Sequence, residues 1–215
     1  MNILRYGDEN AKNILVQLVD EHDLAQIDEE IDKISELSCE KFLLITVKVE
    51  DWNLDLSPWK APAVFGNQDF GDGAENTLDY VLNNVVKPLK NEKREDVKFF
   101  IGGYSLAGLF ALWSAYKTDE FFGVAAASPS VWFPDFLEFA KSGVPLAKCV
   151  YLSLGDKEER TKNKVMQTVG DNIREISQDL ENKCVVSALE WNDGGHFKDF
   201  ALRTAKGFAW MLNKV

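Results

Sequence analysis

The chain has 215 residues, 46% hydrophobic and 27% charged, which suits a soluble globular protein and is long enough for one well-buried α/β domain, 1–215, but short for two. Lys plus Arg number 24 against 35 Asp plus Glu, a formal net charge of −11. That balance argues against nucleic acid and anionic membrane as partners, and disfavours strongly anionic substrates unless a local basic patch is present.

Taken in order, the chain alternates strand and helix signals, which predicts a mostly parallel sheet with helices on both faces, a three-layer α/β/α sandwich. Ile3 to Tyr6 reads as a short edge strand and Asn13 to Val19 as a buried one. An amphipathic helix is expected from about Leu24 to Leu37, with Ile27, Ile31 and Ile34 on one face. Lys41 to Val49 is the next strand. From Glu50 to Gly73 no period holds, and the stretch is rich in Trp52, Trp59, Phe65 and Phe70. An irregular segment this long within a domain is more often functional than idle. Ala74 to Leu89 returns to helix, expected to end near Pro88.

The next stretch carries the strongest signal. Val97 to Ile101 is an apolar strand that breaks into Gly102-Gly103-Tyr104-Ser105-Leu106-Ala107-Gly108 and restarts as an apolar helix through about Tyr116. Strand, sharp turn and helix with a serine at the apex is the layout of a nucleophile elbow, which needs small residues two before and two after the serine: Gly103 and Ala107. The competing reading is a Gly-rich turn of another α/β fold with Ser105 as a helix N-cap. Further on, Gly123 to Ser128 and Lys148 to Leu154 read as strands. A helix follows over about Lys164 to Leu180, then a strand from Cys184 to Trp191 and a terminal helix to about Leu212.

Three groups then fall after carboxyl ends of strands, where open parallel sheets bind ligands: Ser105, the cluster Asp156, Glu158 and Glu159, and His196 behind Gly194-Gly195. That order, serine, acid, histidine, is the one used by α/β hydrolases. A serine hydroxyl needs a base to take its proton, an imidazole does so near neutral pH, and a carboxylate fixes the imidazole tautomer. With only two histidines in the chain, His196 is the candidate base; His22 is read as structural or as part of a pocket wall. Hydrolases commonly place the acid three residues after a glycine, which selects Glu158, with Asp156 as the alternative. The oxyanion hole is expected from the backbone N–H of Leu106 and one N–H at Asp20-Glu21-His22, here Glu21. Trp52, Trp132 and Phe133 are candidate pocket residues, with Trp59 and Phe65 as further walls, although core packing also explains such aromatics.

These residues together resemble the α/β-hydrolase fold, and within it the putative esterase group that includes enterochelin-esterase-like and esterase-D-like proteins. The matching pieces are Gly103 to Leu109, Asp55-Leu56-Ser57-Pro58-Trp59, Ser128-Pro129-Ser130-Val131-Trp132, Leu152 to Glu158 and Gly194-Gly195-His196-Phe197. Two positions depart from the group's pattern: Ala107 replaces a glycine, and Val19-Asp20-Glu21 stands where relatives carry Asp-Gly. The resemblance implies carboxylic-ester (or thioester) hydrolysis through an acyl-serine, with no metal or organic cofactor. It implies a small-molecule ester as the partner; no nucleic acid or membrane is expected, on the charge balance above. Siderophore esters are not favoured, because the loop after Val49 offers Asp51, Trp52 and Asn53 rather than arginines.

The Ser128 to Lys148 connection is short, so a compact fold without a separate cap domain is expected. No run approaches about 18 apolar residues and the N-terminus lacks an apolar core of signal-peptide length, so the expected location is cytoplasmic. The three cysteines show no metal-ligand spacing, and Cys149 and Cys184 are expected as buried small hydrophobes. Acyl transfer to an acceptor other than water, and a binding or scaffold protein that has lost turnover, are the alternatives to hydrolysis.

Overall fold

The structure is a computed structural model and describes residues 1–93 and 96–214. Strand β1 (Asn2–Gly7) is followed by β2 (Asn13–Val19), the one-turn helix α1 (Glu21–Leu24), α2 (Ile27–Leu37) and β3 (Phe42–Lys48). The amphipathic stretch expected from Leu24 is therefore two helices. Asp20 starts α1 by capping it, its carboxylate accepting from His22 N and Asp23 N while Asp20 N donates to the Asp23 carboxylate, and the chain leaves helical geometry at Gln26 (φ −119°, ψ 13°) before α2. The aromatic-rich segment contains α3 (Trp52–Asp55) and an isolated bridge between Ala61 and Phe70.

Helix α4 (Ala74–Val81) passes through a π-helical turn (Leu82–Val86) into α5 (Lys87–Lys93), so the chain does not stop at Pro88. The wider turn shifts the hydrogen-bond ladder, with Lys87 N donating to Leu82 O. Pro88 then sits at the second residue of a fresh helical segment, where a missing N–H costs least. Then come β4 (Lys98–Tyr104), α6 (Leu106–Ser114), β5 (Phe121–Ala127), α7 (Phe136–Ser142), β6 (Cys149–Gly155), α8 (Val169–Asn182), β7 (Val186–Asn192) and α9 (Phe200–Leu212).

The strands form one sheet in the order β1-β3-β2-β4-β5-β6-β7. Only β1 runs antiparallel, on the edge against β3 (Leu4 opposite Thr46); the other pairs are parallel. Alternate residues of each strand enter different cores, as a pleated strand requires. Leu15, Leu44, Phe100 and Ala125 meet α2 and α9 on one face, whereas Val16, Ile45, Ile101 and Val124 join the larger core with α4, α6 and α8. The expected three-layer α/β/α sandwich is present, and α7 is the only helix between β5 and β6 among the described residues. Cys149 is buried, but Cys184 is exposed at φ 57° in the turn before β7, so it does not serve as a core hydrophobe. No helix among the described residues is long and apolar enough to cross a membrane.

The topology places the four relevant loops on one rim. Ser105, Ser128, Glu158 and His196 follow β4, β5, β6 and β7, which are consecutive neighbours in the sheet. Strands spaced by about 4.8 Å put β7 roughly 14 Å from β4, so the loop bearing His196 must fold back across two strands to meet the serine.

Candidate active site

Ser105 sits at the apex between β4 and α6 with φ 58° and ψ −119°, a strained conformation for a residue with a side chain. Its neighbours tolerate the sharp turn because they are small. A β-carbon on Gly103 would lie 2.7 Å from the Ala107 methyl, so this contact has room for one methyl group and not two. Ala107 in place of the usual glycine is accommodated because Gly103 faces it. The Ser105 N–H donates to Ala127 O at 3.1 Å and Ser130 N donates to Ser105 O at 3.1 Å, fixing the turn from β5.

His196 Nε2 lies 3.0 Å from Ser105 Oγ, and His196 Nδ1 lies 2.7 Å from Glu158 Oε2. Serine, histidine and glutamate are thus linked through the two ring nitrogens. Glu158, not Asp156, faces the imidazole. Asp156 Oδ1 instead accepts from Gly194 N at 2.7 Å, and Lys157 N donates to Gly194 O, so Asp156 ties down the loop that carries the histidine.

The second carboxylate oxygen of Glu158 is fully engaged. Oε1 accepts from Gly155 N (2.7 Å), Ser128 Oγ (2.8 Å) and Arg203 Nη1 (2.9 Å). Burial alone would raise this carboxyl. The bond and charge of His196, with the Gly155 N–H and Ser128 hydroxyl, outweigh it and hold the group below the usual carboxylate range. Ser128 is itself held at φ 43° to point its hydroxyl at the acid.

Arg203, on α9, is the residue that the sequence reading missed. Its Nη1 also meets Tyr104 OH and Ser128 Oγ, both at 3.1 Å, while Nη2 donates to the carbonyls of Asp193 and Gly195, both at 3.1 Å. Tyr104 OH in turn donates to His196 O at 2.6 Å. Burial first, and the charge of Glu158 next, push the Tyr104 phenol up to about 12, so it stays a neutral donor. One guanidinium therefore gathers the acid and two carbonyls of the histidine loop, which explains how that loop is held across the sheet.

Ser105 opens on a cavity of about 150 Å³ lined by Asp20, His22, Trp52, Tyr104 and Phe200, with His196 and Phe197 at its edge. His22 packs on the Phe200 ring at 4.8 Å, a wall role. Burial, and then the charge of Asp20, push the Asp23 carboxyl beside this cavity up to about 7. A second cavity of about 270 Å³ shares His196 and Phe197 and is lined by Trp132, Met166 and Glu158. Trp52 and Trp132 thus line one cavity each. Phe133 lines neither: it is 2% exposed and packs against Trp59 and Phe70, so it is a core residue and the pocket expectation is corrected. Trp59 is also structural, donating through Nε1 to Pro134 O.

Of the two expected oxyanion donors, Leu106 N is the first N–H of α6 and meets no acceptor among the described residues. Glu21 does not line the Ser105 cavity. It borders the neighbouring one, with Lys48 and Glu50, and its side chain pairs with Lys48, away from the serine. His22 N and Asp23 N are taken by the Asp20 carboxylate, whereas the Glu21 N–H meets no acceptor among the described residues.

A mostly parallel open sheet with a serine elbow, a glutamate after β6 and a histidine after β7 defines an α/β hydrolase. The chain belongs to the putative esterase family, whose sequence profile matches residues 18–199. It is similar to the uncharacterized protein YbbA of Bacillus subtilis (strain 168), with 23% identity over 186 residues, covering 81% of this chain and 74% of that one. Among solved structures it is similar to an IroE-like serine hydrolase from Shewanella oneidensis (16% identity, TM-score 0.80, 98% of this chain and 75% of that one). It is also similar to the siderophore hydrolase EstA from Aspergillus nidulans (18% identity, TM-score 0.74, 95% and 83% covered).

Proposed function

We propose that the protein is a serine esterase that cleaves a small-molecule carboxylic ester or thioester through an acyl-Ser105 intermediate. The observation that carries this reading is the continuous contact from Ser105 Oγ through His196 to Glu158, at 3.0 and 2.7 Å. Ser105 Oγ attacks the carbonyl carbon as His196 Nε2 takes its proton, and Glu158 stabilises the imidazolium. The oxyanion is held by the Leu106 N–H; the Glu21 N–H becomes a second donor only if the turn after Asp20, which borders the Ser105 cavity, brings it round from the neighbouring cavity. On collapse, the imidazolium gives its proton to the departing alcohol or thiol. A water activated by the same nitrogen then releases the acid and restores Ser105. With Asp23 partly protonated near neutral pH, negative charge beside the developing oxyanion is reduced.

The test is a panel of esters graded in acyl length, assayed with wild type and Ser105→Ala, together with labelling by a fluorophosphonate. Turnover and labelling that both vanish in the variant support the reading. Ligand binding without turnover or labelling in the wild type would instead identify a scaffold. Loss of ester accelerated by an added alcohol, with transfer to it, would identify an acyltransferase.

A further inference from the structure

The two cavities that meet at His196 differ in size and charge, and the reaction decides which half of an ester each receives. The acyl carbon must reach Ser105 Oγ, so the acyl group lies in the cavity that Ser105 lines. The leaving oxygen must reach His196 Nε2, and His196 with Phe197 is shared by both cavities. The leaving half therefore passes the histidine into the second cavity. Phe197, 91% exposed, borders both.

The acyl side holds about 150 Å³. A cavity of about 150 Å³ accommodates a benzene ring. Its aromatic walls are joined by Asp20 and Asp23, and the Asp20 carboxylate opposes a negatively charged acyl group. The leaving-group side holds about 270 Å³ and carries Lys157 and Arg160 at its mouth. Lys157 has one partner, Asp193, at 3.4 Å, while Arg160 has no carboxylate within ion-pair distance among the described residues. The one carboxylate lining this cavity, Glu158, is 4% exposed and neutralised by Arg203. In a chain of net charge −11, this is a local positive rim facing the exit path of the leaving group.

Resting on the esterase reading above, we propose that the substrate joins a compact acyl group, no larger than about one aromatic ring, to an alcohol or thiol that bears a carboxylate or phosphate. The anion lies against Lys157 and Arg160, and the apolar part of the leaving half lies on Trp132 and Met166.

The experiment uses the full chain and matched esters. One series fixes the alcohol and varies the acyl group through acetyl, butyryl, benzoyl and decanoyl. The other fixes an acetyl group and varies the alcohol terminus among a carboxylate, a phosphate and a neutral amide of equal length. The expected result is kcat/KM about fivefold higher for at least one anionic ester than for the amide, expressed in KM. That preference falls towards parity near about 1 M salt and in Lys157→Gln/Arg160→Gln. The acyl series declines beyond benzoyl. Equal rates for charged and neutral esters, a preference that survives the double substitution, or a best rate with decanoyl overturns the inference and leaves the esterase reading standing. No turnover of any ester, with no fluorophosphonate labelling, removes both.

Discussion

Arg203 Nη1 lies 2.9 Å from Glu158 Oε1 in a pair whose side chains are 1% and 4% exposed. Removing one partner of a buried ion pair leaves the other charge uncompensated, which costs about 3–5 kcal/mol. Arg203→Met is therefore expected to lower stability by that order and to reduce kcat further, because the carbonyls of Asp193 and Gly195 also lose their donor. Arg203→Lys restores a charge beside Glu158 but not the forked reach to both carbonyls. It should recover more stability than kcat, which thermal unfolding and steady-state kinetics on the same samples will resolve.

Under the proposed mechanism Ser105, His196 and Glu158 act as a chain, so their effects should not add. Ser105→Ala and His196→Ala are each expected to cost about 10⁶-fold in kcat, and the double variant little more. Glu158→Gln should cost less, roughly 10⁴-fold, since the imidazole keeps its place but loses its carboxylate. Asp156→Asn keeps an acceptor for Gly194 N and should cost far less than Glu158→Gln. A larger loss at Asp156 than at Glu158 would reverse the assignment of the acid.

The serine turn, the alternation of strands and helices and the histidine loop were legible because each leaves a local mark: an apolar run broken by glycines, alternating periods, one histidine after a Gly-Gly pair; the order of strands in the sheet leaves none. Glu158 was legible only through its offset from Gly155. Arg203 was not, since a lone cation in a helix reads as a solvated residue. The available signal was its setting, with Phe200 three residues before and Gly207 four after on a buried face of α9. The π-helical turn before Pro88 left no such mark, because Leu-Asn-Asn-Val-Val fits an ordinary helix equally well. Trp132 and Phe133 are alike in sequence and both pack on Phe70, so only the packing decides which of them meets the cavity.

The elbow's tolerance for volume is set by the contact between Gly103 and Ala107. A β-carbon on Gly103 would approach the Ala107 methyl to 2.7 Å and its carbonyl carbon to 2.9 Å. Gly103→Ala is therefore expected to destabilise by about 1–3 kcal/mol and to displace Ser105, lowering kcat beyond the stability effect. Pairing it with Ala107→Gly removes the facing methyl and should restore part of both losses. A double variant no better than Gly103→Ala would locate the strain elsewhere in the turn.

Two carboxyls, the half-buried Asp23 on α1 and the buried Glu30 on α2, give the fold a pH dependence of definite sign. Burial, eased by the bond from Gln17, pushes Glu30 up to about 8 from an ordinary value of 4.5. Burial and the charge of Asp20 push Asp23 up to about 7 from 3.8. Between the unfolded and folded values the native chain binds more protons than the unfolded one, so stability falls as pH rises through that interval. The favourable contribution is complete below about pH 4 and is lost by about pH 8. Glu158 acts in the opposite sense: its depressed value stabilises the fold above the ordinary carboxylate range and that contribution is lost on acidification. Tm is therefore expected to fall from pH 5.5 to pH 8.5, by an amount corresponding to a few kcal/mol at most. Glu30→Gln, which keeps an amide beside Gln17 without a titrating proton, should flatten most of that slope. A variant with the wild-type slope would show that Glu30 ionises in the fold as it does in water.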